Sequence, residues 1–339
     1  MENPLIPLLA EEHSALADPA EITPHPLEVP PAALRRTFYP MGFPVEVRTN
    51  APQIFQEFAE SCRYFEKLFD VPPIVLEVHV VDSNSTGCPP PPSHRILPSA
   101  VVWFADADHY AFVDLAAGAA RIVVSTAALR HPLYLRYFFL EAAALNLITS
   151  RHTTPVHAAC VALNGRGVLF CGVSGAGKST LSYACARAGW SYVTDDAALL
   201  LNNRTDRIVI GNCHQVRFRP AAVELFPEIA GLPITPRAEG KPSIEVPTAT
   251  LPIRRTARAA QVEAIVFLNR TTGGLPQLMP GSRDAARESM RQVIFGPKKL
   301  VGRQMAAIER LLTAEVFEFQ YSALAPAIER LERLMRKGV

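Results

Sequence analysis

The sequence predicts an α/β chain: a mixed-sheet domain built round a phosphate-binding loop (a P-loop), with a smaller α+β unit ahead of it. Three observations carry this. GVSGAGKST at residues 172–180 follows a β-type run, GVLFC, and opens a helical run, STLSYACARAG, the strand–loop–helix setting the motif requires. Alternating apolar runs lie on both sides of it, among them IVLEVHVVD, QVEAIVFLNR and VFEFQYS, as expected of strands with a buried face. The 339 residues, 49% of them apolar, suffice for two ordinary domains.

Composition narrows the function. Lys+Arg 34 against Asp+Glu 32 is near neutral, which argues against a bulk electrostatic nucleic-acid binder. The N-terminus, MENPLIPLLAEEHSALADP, lacks the basic start and long apolar run of a signal peptide. No run approaches the ~20 apolar residues of a membrane span. The expectation is a cytoplasmic protein that engages neither nucleic acid nor membrane, with oligomerisation left open. Cys62, Cys88, Cys160, Cys171, Cys185 and Cys213 form no CxxC pair and read as reduced, buried thiols rather than a disulfide framework or zinc site.

Along the chain, residues 1–32 are rich in proline, which prevents a long helix and leaves an extended or disordered arm. Residues 33–135 read as the α+β unit. GFPVEVRT is a strand, APQIFQEFAESCRYFEKLF an amphipathic helix with Ile54, Phe55, Phe58, Cys62 and Phe65 on its apolar face, and IVLEVHVVD a strand. SNSTGCPPPPSH is a loop, AVVWFADADHYAFVDL a hairpin turning at Asp106–Asp108, and ARIVVS a further strand. No chemical constellation stands out, and His79 and His109 read as surface or packed histidines. HPLYLRYFFLEAAALNLIT reads as a helix feeding a second domain over 136–339. That domain continues with a hairpin at NGRG, strands in RIVIG, QVRFRP, QVEAIVFLNR and VFEFQYS, and a last helix, AIERLERLMRKG, with Gly338 just past it.

Gly172, Gly177, Lys178 and Ser179 meet the pattern GxxxxGK[ST]. Glycines let successive backbone N–H groups, those of Ser174, Gly175 and Ala176 among them, curl round phosphate oxygens with no Cβ in the way. The helix opening at Lys178 adds its N-terminal dipole. Lys178 reaches the β- and γ-phosphates, and the Ser179 hydroxyl is a Mg²⁺ ligand. Thr180 offers a second hydroxyl or caps and packs; Gly175 relaxes the loop.

The acids are unusual in position. Phosphate-binding loops commonly draw their metal-positioning Asp from the end of a distant apolar strand, but AIVFLNR ends in Asn269 and Arg270. Asp195 and Asp196 instead follow the loop after one helix and the short strand SYVT. Adjacent residues of a regular strand point to opposite faces; released at a strand end, both can approach the loop. One carboxylate then holds Mg²⁺ while the other accepts a proton from a hydroxyl nucleophile. The competing reading is a solvated turn. His157, in PVHAAC, reads by itself as a packed histidine, and Arg254, Arg255 and Arg258 as a solvated basic loop.

VHAACVALNGRGVLFCGVSGAGKSTLSYACARAGWSYVTDDAALLL resembles the core of HPr kinase/phosphorylase and its relatives: a His ahead of the loop, a hairpin, the loop GxSGxGKS, and an Asp pair one strand later. Phosphoenolpyruvate carboxykinase shares the nucleotide-binding architecture. The match is close over about 155–200 and looser through QVRFRP, EGKPSIEV and VFEFQYSALAPAIERL. The resemblance implies ATP and Mg²⁺, His157 near the transferred phosphate, Asp195 as base, and Asp196 beside Ser179 at the metal. It also implies Arg217 and Lys241 facing the nucleotide or acceptor phosphate. The acidic-Arg-Gly run of the bifunctional members has no clean counterpart, and the first ~135 residues match no part of that family. Three readings follow: a kinase acting on Ser or Thr of a protein or precursor peptide, a kinase acting on a small hydroxylated metabolite, and a nucleotide-binding regulator. A hydroxyl-activating Asp beside a metal Asp favours a kinase. The segments LFPEIAGLPITP and LMPGSRDAARESMRQVIFGPKKL favour a peptide acceptor.

Overall fold

The computed structural model describes residues 30–236 and 242–337. Most of the proline-rich arm, Lys241 and Gly338 lie outside the described residues. The fold is mixed α/β in two units that part between Arg151 and His152, not at the expected 135/136.

In the first unit, strands β1 (Leu34–Phe38), β2 (Val45–Thr49), β3 (Ile74–Val81), β4 (Ser93–Ile96), β5 (Ala100–Asp106), β6 (His109–Asp114) and β7 (Ala119–Ser125) form one sheet. Its order is β1-β2-β3-β7-β6-β5-β4, with β2, β3 and β7 parallel. The hairpin turn lies where the sequence predicts it. Helix α1 (Gln53–Cys62) buries Ile54, Phe58 and Cys62, a stripe at i, i+4, i+8. It ends earlier than expected because the Phe65 N–H closes back on the Cys62 carbonyl at 2.9 Å, tightening the last turn.

The long helix expected over 131–149 is present as a continuous helical run with a π-turn in it. After the short α2 (Thr126–Leu129) come α3 (Pro132–Leu135), a π-helical turn at Arg136–Leu140 and α4 (Glu141–Arg151). Helix α4 packs on β3, β6 and β7 and so belongs to this unit rather than to the next. His79 is packed, with Nδ1 2.7 Å from the Pro30 carbonyl and Nε2 2.9 Å from Glu77. His109 bridges Asp106 at 2.7 Å and Ser125 at 2.9 Å. That order is a hydrolase triad's, but Ser125 is fully buried and caps α2 through the Ala127 N–H, so the row is structural.

The second unit holds β8 (Thr153–His157), β9 (Ala159–Leu163), β10 (Arg166–Cys171), α5 (Lys178–Arg187), β11 (Ser191–Thr194), β12 (Ala197–Leu201) and β13 (Ile208–Ile210). There follow β14 (Gln215–Phe218), β15 (Thr235–Pro236), β16 (Pro242–Pro247), β17 (Arg255–Thr256), β18 (Ala259–Arg270), β19 (Gln277–Pro280), α6 (Arg283–Arg291), α7 (Lys298–Leu311), β20 (Glu315–Tyr321) and α8 (Leu324–Lys337). The main sheet runs β17-β11-β9-β10-β18-β13-β12-β8, with β20 also on β18 and β19 on β20. Parallel strands β10, β18 and β20 form its middle.

Alternation assigns the faces. On β10, Leu169 and Cys171 pack with Ala286 and Met290 of α6 and Ile308 and Leu311 of α7. Val168 and Phe170 pack with Leu181 and Cys185 of α5 and Leu331 of α8. The other side of α5, with Tyr183, Ala184 and Ala186, meets Val216, Phe218, Ile244 and Val246 of the small sheet β14-β16-β15. Helix α5 is therefore apolar on two sides, as an interior helix must be.

All six cysteines are free; five are buried, and Cys88 is exposed, in a proline-rich loop with no core to enter. No helix among the described residues is long and apolar enough to cross a membrane.

Leu169 is fully buried and Leu275 is 83% exposed. In urea titrations Leu169→Ala is expected to cost ~2–5 kcal/mol, and Leu275→Ala to stay within about 0.5 kcal/mol of the parent.

Candidate functional site

Parallel strands β10, β18 and β20 all end at one edge of the sheet, where open α/β sheets bind ligands. The chain leaves β10 at Gly172, whose φ of 143° and close approach to the Leu268 carbonyl suit glycine. It enters α5 through Gly177 at φ 96°. A Cβ at Gly177 would strike the Tyr321 hydroxyl. Tyr321, at the end of β20, donates from that hydroxyl to the Ala176 carbonyl at 3.2 Å. The loop is thus shaped from below by the last strand of the sheet.

Lys178 is buried and donates from Nζ to the carbonyls of Gly172 at 2.7 Å and Val173 at 3.4 Å. Burial pulls its pKa below the usual value, against the opposing charge of Asp196.

The acidic pair sits at a break in a strand ladder. Strand β8 runs into β9 through Ala158 alone, and β11 into β12 through Asp195 and Asp196 alone. The pairings Thr153↔Leu201, His157↔Ala197 and Cys160↔Thr194 keep one phase across the gap. These four strands are therefore one antiparallel ladder, bent in the middle. The Ala158 N–H turns back on the Val156 carbonyl at 2.8 Å, and the Thr194 hydroxyl spans the other side to the Ala197 carbonyl at 3.2 Å. At the bend the pleat is lost, and both carboxylates reach the same cleft.

The two acids differ in surroundings. Asp195 is buried; its Oδ1 accepts from the Tyr192 hydroxyl at 3.1 Å and its Oδ2 from the Arg217 N–H at 3.0 Å. Burial first, then the Asp196 charge, push its carboxyl up to about 6, against the pull of Arg217 and of those two hydrogen bonds. Asp196 is half-buried, with Oδ1 3.3 Å from His157 Nδ1, inside ion-pair reach but not aligned as a hydrogen bond. The Ser179 hydroxyl lies 3.5 Å from the Asp195 carbonyl. Arg217 Nε is 3.4 Å from Glu245, whose other oxygen accepts from Gln215 at 2.9 Å.

Ser174, Gly175, Gly177, Lys178, Ser179 and Thr180 line one cleft of about 310 Å³ together with His157, Asp195, Asp196 and Arg217. Gly172 and Ala176 stand behind the lining. Sequence reasoning missed four polar contributors. Arg219 and Arg270 also line the cleft. Arg219 follows Arg217 by two in QVRFRP, a period that puts both on one strand face. Arg270 stands at the strand end searched for an acid; the position matters, with the opposite charge. Tyr192, under Asp195, and Ser243, in the cleft wall, carry no signal in the sequence.

Among the described residues no cluster of three or more His, Cys, Asp or Glu side chains is arranged to hold a metal. Mg²⁺ in phosphate-bound sites takes one or two protein ligands, with phosphate oxygens and water completing the octahedron. Ser179 and Asp196, both on the cleft, are a donor set of that kind.

The family model described as SynChlorMet cassette protein ScmC matches residues 139–210, a stretch that takes in the loop, α5 and the acidic pair. A search of curated proteins finds no match. Among solved structures, the chain is similar to the Hpr(Ser) kinase/phosphatase from Coxiella burnetii at 16% identity and a TM-score of 0.29, over 54% of this chain and 99% of that one.

Gly177→Ala is expected to cost ~1–3 kcal/mol, from the positive φ and the Tyr321 contact. The penalty should shrink in a Tyr321→Phe background, which removes the hydroxyl but not the backbone strain. A double-mutant cycle by urea unfolding reads the coupling; strict additivity would remove the clash from the account.

Proposed function

We propose that this protein is an ATP-dependent kinase that transfers a phosphoryl group to a Ser or Thr hydroxyl of a protein or peptide. One observation carries the reading: two adjacent carboxylates share the cleft of the lysine-bearing loop, yet sit in unlike surroundings. Binding a nucleotide requires only one of them, for the metal. A buried second carboxyl, pushed up to about 6, suits acceptance of a proton near neutral pH.

Mg-ATP supplies the transferable phosphoryl group and the metal charge. The chain's residues then divide the work. The N–H groups of 174–177 and Lys178 hold the β- and γ-phosphates, and Ser179 and Asp196 hold Mg²⁺. Asp195, pinned on both oxygens by Tyr192 and the Arg217 N–H, takes the proton of the attacking hydroxyl. As that proton leaves, the acceptor O–P bond forms and the bond to the ADP oxygen breaks. His157 lies against Asp196 and the Arg217 side chain against Glu245, both on the cleft near the transferred group. Lys241 lies outside the described residues. A cleft of about 310 Å³ is at the small end of ligand pockets.

Lys178→Ala should lower phosphate transfer by orders of magnitude. Asp195→Asn should lower turnover by roughly 10²–10⁴ with Mg-ATP affinity retained, whereas Asp196→Asn should weaken Mg-dependent nucleotide binding. Calorimetric titration of Mg-ATP, beside mass spectrometry of Ser- and Thr-containing peptides, separates the two. An active Asp195→Asn, or identical defects in both variants, would remove the base and leave only a nucleotide binder.

A further inference from the structure

We infer that the acceptor is an acidic peptide, held through carboxylates that flank its hydroxyl residue by Arg219 and Arg270, with Ser243 as a third contact. The inference rests on the reading of the cleft as a phosphoryl-transfer site and extends it to the substrate. Four cations line the cleft: Lys178, Arg217, Arg219 and Arg270. Lys178 is engaged by loop carbonyls and Arg217 by Glu245. Arg219 and Arg270 are exposed, come from different elements, and pair with no acid among the described residues. The loop N–H groups and Lys178 already serve a triphosphate, so these two guanidinium groups are surplus to it. Guanidinium groups hold carboxylates through paired N–H bonds.

Ser243 is an independent pointer. It is 5% exposed and lines the same cleft, and its hydroxyl has no hydrogen-bond partner. Native proteins seldom leave a buried hydroxyl unmatched unless water or a ligand supplies the partner. The ladder pair Phe218↔Ile244 sets Ser243 and Arg219 across from each other one step further on. They share the face opposite the buried Val216, Phe218, Ile244 and Val246. A carboxylate at Arg219 is thus beside a hydroxyl able to donate to it.

The test uses the full chain loaded with Mg²⁺ and a non-hydrolysable ATP analogue. The probes are short fluorescein-labelled peptides with a central Ser flanked by Glu, by Gln or by Lys. Fluorescence anisotropy should show the Glu peptide binding at least about tenfold tighter than the Gln peptide. Arg219→Glu and Arg270→Glu should each erase that preference and improve binding of the Lys peptide; Ser243→Ala should weaken the Glu peptide alone. Equal binding of the three peptides overturns the inference. So does a fall in analogue affinity in the arginine variants with peptide preference intact, which would assign both side chains to the nucleotide. Transfer to the same peptides with ATP is read separately. Tight binding of the Glu peptide without phosphorylation would uphold the acidic site and sink the kinase reading. Equal phosphorylation and binding of Glu and Gln peptides would keep the kinase and sink the acidic site.

Discussion

The site depends on one break in one ladder. Strands β8–β9 and β11–β12 hold a single antiparallel phase from Thr153↔Leu201 to Cys160↔Thr194, so the bend costs backbone pairing at 158–159 and 195–196, and the register slips by one residue only further on, between Thr194 and Tyr192. Straighten it, and the pleat sends Asp195 and Asp196 to opposite faces, with one carboxylate in the apolar core. The bend is held by short local bonds, from the Ala158 N–H and the Thr194 hydroxyl. Asp195 is further fixed by groups from other elements, the Tyr192 hydroxyl and the Arg217 N–H. Each oxygen of the buried carboxylate thus has a hydrogen-bond donor within reach, which offsets part of the cost of burying it.

Helix α5 ties that arrangement to the loop. Its first residue is Lys178, and it lies between the main sheet and the small sheet. The small sheet brings Arg217 and Ser243 to the cleft. Packing on both sides of α5 thus sets the distance between the loop at its first turn and the cleft wall that bears Arg217 and Ser243.

Much of this was legible beforehand, because it rests on local periodicity. Strand, loop and helix around GVSGAGKST follow from glycine placement and apolar runs, and the release of both Asp side chains at the end of SYVT follows from the period of a strand. What the sequence hid is non-local. That β8–β9 and β11–β12 form one ladder is decided by pairing across some forty residues, and no pattern inside either segment encodes it. Tyr192 looks like any core aromatic until its hydroxyl is seen beneath Asp195. Helix propensity over 131–149 was real but gave no hint of the π-turn at Arg136–Leu140. The boundary at 151 is set by what α4 packs against, which composition does not reveal.

The contact between Tyr321 and the loop has a temporal side. The tyrosine is made 145 residues after the Ala176 carbonyl it bonds, in the last strand of the chain. A polypeptide emerging from the ribosome displays the loop, α5 and both aspartates while β20 is still unmade. The floor under Gly177 arrives only with β20, so for most of the 145 residues between Ala176 and Tyr321 a nascent chain carries the motif complete in letters and unfinished in shape. The shape of the loop is in this way deferred until β20 has been made.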